Sequence, residues 1–148
     1  MLLRAALSSI RRMTTTAATT DYVVCWVTHP PANVGTFATK VVESKLAACV
    51  NVIPKIQSVY TWEGKVENDE EALCMIKTRR ALVPELTTFV QANHPYDCPE
   101  VIAAEIVGGA PAYLEWVAAN TKAPGAPAVT AAAAAPAAAQ EGGAADDK

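Results

Sequence analysis

The stretch from Cys49 to Thr78 constrains this chain more than any other. Cys49-Val-Asn-Val-Ile-Pro-Lys-Ile-Gln-Ser-Val-Tyr-Thr-Trp62 reads as one extended segment, with Val50, Val52, Ile56, Tyr60 and Trp62 suggesting alternation. Glu63-Gly64-Lys65 reads as a tight turn, and Val66 to Thr78 returns as a second strand. Pro54 has no N–H to give a ladder, so a bulge or an edge position is expected midway. Arms of about twelve residues, where strands usually run five or six, should project beyond a globule of this size. A projecting hairpin is marginal in water by itself, so a second subunit is expected to cover it.

The remaining elements fall on either side of this hairpin. Tyr22-Val-Val-Cys-Trp-Val-Thr28 is a β-branched and aromatic run that opens the domain as a strand, stopped by His29-Pro30-Pro31. Val34, Phe37, Ala38, Val41, Val42 and Leu46 recur at helical spacing, with Lys40, Glu43 and Lys45 opposite, so a helix is expected over Asn33–Leu46 with Asn33 as its N-cap. Leu82, Leu86, Phe89 and Val90 mark a second helix, with Pro84 in its first turn and Asn93-His94-Pro95 at its end. Val101 to Val107 is a further clear strand after the hairpin, before Gly108-Gly109, and Tyr113-Leu-Glu-Trp-Val117 is a short final helical turn. The order is β-α-β-β-α-β, an α+β domain of the ferredoxin-like kind. Two helices on one sheet face bury that face and leave the other to solvent or a partner.

Both ends differ from the middle. Residues 1–20 carry Arg4, Arg11 and Arg12 with no acid, are rich in Ser, Thr and Ala, and read as a mitochondrial or plastid transit peptide. Met13 is an internal start that would leave a cytosolic form. Residues 123–148 are largely alanine interrupted by Pro124, Pro127 and Pro136, and read as a disordered tail. The domain is therefore placed at 21–122. It is acidic, as is the whole chain with its formal charge of −3, which argues against nucleic acid or an anionic membrane as the main partner. No apolar run reaches the roughly 18 residues of a membrane span.

Chemistry-bearing groups are few. There is no G-x-S-x-G, no phosphate loop and no G-x-G-x-x-G, and the two histidines are His29 and His94. Cys25, Cys49, Cys74 and Cys98 have neither C-x-x-C nor zinc-ribbon spacing and read as free thiols. His94-Pro-Tyr-Asp-Cys-Pro-Glu100 puts an imidazole, a thiol and two carboxylates within one loop, a donor set for copper or zinc. The same loop also reads as a capped helix end with a rigid turn and a buried Cys98. Tyr60 and Trp62, at i and i+2, share one face of the hairpin, where Tyr113 and Trp116 could join them as subunit packing or as a wall for a small ligand. Lys77, Arg79 and Arg80 form either an anion contact or a solvated basic corner.

Six blocks in order carry a resemblance over residues 22–121. They are Lys45-Leu-Ala-Ala-Cys-Val-Asn51, Ile53-Pro54, Ser58-Val-Tyr-Thr-Trp-Glu-Gly64, Met75-Ile-Lys-Thr78, His94-Pro-Tyr96 with Pro99-Glu100, and Tyr113-Leu-Glu-Trp116. The chain resembles the CutA family, the divalent-cation-tolerance proteins. That resemblance implies a ferredoxin-like fold related to PII signalling proteins and a stable homotrimer with hairpins paired between subunits. It also implies copper or another divalent cation, held in some members by a first-strand thiol and adjacent histidines. Here Val27 stands at the thiol position with Cys25 two residues before it, and Asn93 precedes the single His94.

Three functions follow as expectations. The first is a trimeric copper-binding or metal-tolerance protein, with His94, Cys25 and Cys98 as candidate ligands for Cu(I), Cu(II) or another divalent cation. The second is a PII-like sensor or scaffold, with a small ligand in an inter-subunit cleft near Tyr60, Trp62, Lys77, His94, Tyr96, Glu100 and Trp116. The third, ranked last for want of any nucleophile or cofactor motif, is an enzyme using His94 and Glu100 as an acid–base pair.

Overall fold

A computed structural model describes residues 20–126. Nearly all of the segment expected to be a transit peptide, and the expected tail from residue 127 onward, lie outside the described residues. The elements are β1 (Tyr22–His29), α1 (Val34–Glu43), β2 (Cys49–Trp62), β3 (Lys65–Arg79), α2 (Val83–Asn93), β4 (Ile102–Glu105) and α3 (Pro111–Ala119). Single 3-10 turns at Pro31–Asn33 and Arg80–Leu82 lead into α1 and α2. The four strands form one antiparallel sheet in the order β2-β3-β1-β4, which is the expected ferredoxin-like arrangement.

Alternation in β1 decides which face is covered. Val23, Cys25, Val27 and His29 are buried, and opposite them Thr78, Ile76, Cys74 and Ala72 of β3 are buried too. Phe37 and Val41 of α1 and Leu86 and Val90 of α2 close over these rows, so both helices pack on one face. The other face carries Val24, Trp26, Thr28, Leu73 and Met75, only partly buried within one chain.

The hairpin is longer than expected, 14 residues in β2 and 15 in β3. Its ends meet through Glu63 and Gly64, both at positive φ (49° and 79°), as a two-residue turn between right-twisted strands demands. The bulge announced by Pro54 is present: pairing skips from Ile53↔Leu73 to Ile56↔Glu71, with Lys55 left-handed at φ 58°. Beyond it, Ile56–Trp62 and Lys65–Glu71 form an arm whose apolar side chains stand in the open, Val66 at 75% and Val59 at 64% exposure.

Four boundaries depart from the sequence reading. Asn33 makes no side-chain cap, because the chain enters α1 through the 3-10 turn before it. α1 ends at Glu43 rather than Leu46, since Lys45 turns left-handed (φ 57°) and donates its N–H to Val42. β4 is four residues long instead of seven: it pairs with Val23–Trp26 alone, its C-terminal end falling where β1 begins. α3 covers nine residues rather than five; Pro111 starts it, and its alanines give no apolar periodicity to read. Among the described residues no helix is long and apolar enough to cross a membrane.

Candidate functional site

Three segments distant in sequence meet where the arm leaves the globule. The end of β1 supplies Thr28, the arm supplies Ser58, Tyr60, Trp62 and Glu71, and the loop after α2 supplies Pro95 through Cys98 together with Glu100. Together they enclose a cleft of about 550 Å³. The bulge matters here. It re-registers β2 so that Ser58, Tyr60 and Trp62 stand opposite Asp69, Glu67 and Lys65 along the arm, with Glu71 opposite Ile56 at its base.

The loop is held by a histidine strut. His94 Nε2–H donates to the Thr28 carbonyl at 2.8 Å, while its Nδ1 accepts the Tyr96 N–H at 3.1 Å. Both ring nitrogens are thereby committed and the tautomer follows from the partners. His29, buried at 2% exposure, meets His94 edge-on at 4.7 Å between ring centroids, rests on Phe37 at 4.8 Å and hydrogen-bonds the Pro30 carbonyl through Nδ1 at 2.8 Å. Burial holds the His94 pKa below the ordinary imidazole value, with His29 adding in the same direction against the Thr28 bond and Glu71. As pH falls through about 6.5 the unfolded chain takes up a proton that folded His94 resists, so stability declines on acidification. Urea midpoints at pH 7.5, 6.5 and 5.5 should show a decline that is shallower in His94→Asn than in wild type; equal slopes would contradict this placement.

Carboxylates dominate the polar lining. Glu71 is buried at 3% exposure, and its Oε1 has no hydrogen-bond partner among the described residues. The Tyr96 hydroxyl engages the same carboxylate; burial first, and then Glu71, raise the Tyr96 pKa. Glu100 is raised by burial and by the negative charge of Glu71, partly offset by a hydrogen bond from the Thr28 backbone. On the arm, Tyr60 donates to Asp69 Oδ2 at 2.5 Å, a bond that, with the surrounding acids, pushes its pKa up to about 12.

The structure thus brings Tyr60, Trp62, Tyr96, Cys98 and Glu100 to one cleft, with His94 behind the loop. Lys77 and Trp116 lie elsewhere in the chain. Lys77 hydrogen-bonds Asn51 and lies 3.7 Å from Cys49 Sγ, at the root of the hairpin. Trp116 stacks on Tyr113 at 5.5 Å, and Tyr113 in turn neighbours Cys49. Cys25 is fully buried on the helix-covered face, as is Val27, and burial pushes its thiol up to about 11; Cys74 is raised likewise. Cys98 is exposed, not buried as the turn reading had it. Among the described residues no group of three or more His, Cys, Asp or Glu side chains converges as a metal would require. The donor set of His94, Cys25 and Cys98 is therefore not assembled within this chain.

A maleimide reagent at pH 7.5 should label Cys98 rapidly, while Cys25 and Cys74 react only after denaturation, because thiolate and access are both needed. Mass mapping that found Cys25 modified in the native protein would contradict the packing.

Two parts of the site escaped the sequence reading. His29 appeared as the end of a strand and as one of the two histidines, without a place beside His94, although the period-2 pattern of Val23, Cys25 and Val27 already pointed it inward. Glu71 closes the acidic run Glu67-Asn-Asp-Glu-Glu71 of the returning strand, and nothing in that run sets it apart.

Comparison with known proteins agrees with this architecture. The family model described as CutA1 divalent ion tolerance protein matches residues 22–120. The chain is 50% identical over 118 residues to a protein named CutA, chloroplastic, from Arabidopsis thaliana, covering 79% of this chain and 65% of that protein. It therefore spans just under two thirds of that relative's length. Among solved structures, CutA1 from Oryza sativa superposes with a TM-score of 0.67 at 50% identity, covering 70% of this chain and 96% of that one. The divalent cation tolerance protein from Thermus thermophilus superposes with a TM-score of 0.66 at 41% identity, covering 68% of this chain and 99% of that one. By family match, sequence identity and fold, the chain belongs to the CutA1 divalent ion tolerance protein family.

Proposed function

We propose that this chain serves divalent-cation tolerance as a PII-like, trimeric ligand sensor whose ligand enters the cleft between the arm and the 94–100 loop. The observation that carries this reading is the cleft itself: about 550 Å³, within the usual range for small-molecule sites, walled by Tyr60, Trp62 and Tyr96 over a buried carboxylate. A copper centre on His94 is less well supported, because both imidazole nitrogens already have partners. The same commitment leaves an acid–base pairing of His94 with Glu100 without a free nitrogen. Copper or another divalent cation then acts upstream of the protein.

Assembly is part of the proposal. Trp62, Val66, Ile102, Val107, Tyr113 and Trp116 are exposed apolar side chains on the arm, the sheet edge and the last helix, more than a lone domain usually leaves uncovered. A homotrimer would cover them. We assign residues 1–20 as a transit peptide, and the plastid as destination, in keeping with relatives named chloroplastic.

Thermal unfolding of the full chain against a panel of small metabolites, with and without EDTA, tests the reading, with light scattering in the same buffer. The expected result is a scattering mass near three times 15.5 kDa and a ligand-dependent rise in Tm that EDTA leaves intact and Trp62→Ala removes. A monomer, or a rise that chelation abolishes, would contradict it.

A further inference from the structure

The cleft is acidic without compensation. Glu71, Asp97 and Glu100 line it, and no lysine or arginine does. Glu71 is almost wholly buried, with one carboxylate oxygen left unpaired among the described residues. Such an oxygen gives up its hydration and receives nothing, a cost native proteins normally avoid unless a ligand supplies the missing donor. Glu100 is held close enough to Glu71 for their charges to oppose, which a positive group between them would relieve. Tyr60, Trp62 and Tyr96 supply aromatic surface that favours an apolar or cationic body.

Resting on the cleft being the ligand site, we propose that its ligand is an organic cation, a small molecule carrying an ammonium or guanidinium group. The charged N–H group donates to Glu71 and Glu100, and the carbon chain lies along Tyr60 and Trp62. Phosphate-bearing and carboxylate ligands are disfavoured, since no basic side chain lines the site. A bare metal ion fits poorly, because the volume far exceeds an ion's needs and no three donors converge among the described residues.

The test uses the full chain in EDTA, read by calorimetry and by tryptophan emission. The probes are putrescine and agmatine, with 1,4-butanediol and succinate as neutral and anionic mates of putrescine's carbon chain. Saturable binding of an amine is expected, weakened about thirtyfold or more by Glu71→Gln, as when one partner of a buried charge pair is truncated. Glu100→Gln should weaken it too, and Glu115→Gln on α3 should not. Circular dichroism confirms that each variant is folded, and the Glu100→Gln arm keeps the test valid if Glu71→Gln unfolds. Binding of the diol or succinate as tightly as the amines, still lost in Trp62→Ala, would overturn the cationic assignment and leave the cleft reading standing. One equivalent of Zn(II) bound in EDTA-free buffer through Glu71, with no amine bound, would overturn it in favour of a metal. Silence toward every probe at millimolar concentration would overturn it as well.

Discussion

Ile76→Ala is expected to cost about 3–5 kcal/mol of unfolding free energy, the upper part of the range for buried aliphatic truncations. Ile76 is fully buried in the core-facing half of β3, a strand that pairs on both edges, with Cys25 of β1 on one side and Val50 of β2 on the other. Its side chain belongs to the layer that Phe37, Val41, Leu86 and Val90 cover. Surrounding elements are tied together through the sheet and cannot collapse into the void, so the cavity term adds to the lost transfer free energy. Domains of this size have about 5–15 kcal/mol in all, so the variant should be near its limit at 37 °C. Guanidinium unfolding at equal protein concentration measures it, with Ile76→Val expected to lose only about 0.5–1.5 kcal/mol. A loss below about 1 kcal/mol for alanine would mean that β3 is not the strand that organises the core.

Glu71→Met should do the reverse and stabilise the ligand-free protein by about 1–3 kcal/mol, the desolvation cost of a buried polar group left unmatched. Methionine matches the chain length, fills irregular space and lies against the aromatic walls. Tyr96, which loses its carboxylate partner, is 39% exposed and can turn to water. Stabilisation at the expense of binding is the signature of a residue kept for function. Urea denaturation of the ligand-free variant beside wild type is the measurement; a destabilised Glu71→Met would mean that the carboxylate holds the fold together instead.

The fold was largely legible because its signals are local. Alternation in β1, the helical spacing of Phe37, Val41, Leu86 and Val90, the turn at Glu63-Gly64 and the missing N–H of Pro54 each act within a few residues, and each appears where expected. The boundary errors arose where tertiary partners decide: the C-terminal end of β4 falls where β1 begins, and Lys45 turns because α1 must hand the chain back to the sheet. The site was less legible. Tyr60 with Trp62, and Tyr96 with Glu100, could be paired from spacing, but Thr28, Glu71 and His94 meet only through the register of three strands and the path of one loop. One residue inserted at the bulge decides how the arm is registered against β3, and no composition signal carries that. His94 presents the same difficulty from the other direction: its residue type suggests a ligand, whereas its hydrogen bonds make it a strut.

The account depends most on that last point, that His94 braces the cleft while the cleft's acids and aromatics meet the ligand. A histidine-selective proton–nitrogen NMR spectrum of the full chain, titrated with Zn(II) and with Cu(I), tests it directly. The predicted result is a neutral His94 ring, protonated at Nε2, unchanged through one equivalent of either ion. A stoichiometric shift of His94 Nδ1 or loss of its Nε2 proton, saturating at one ion per chain, would contradict the account and return His94 to the metal.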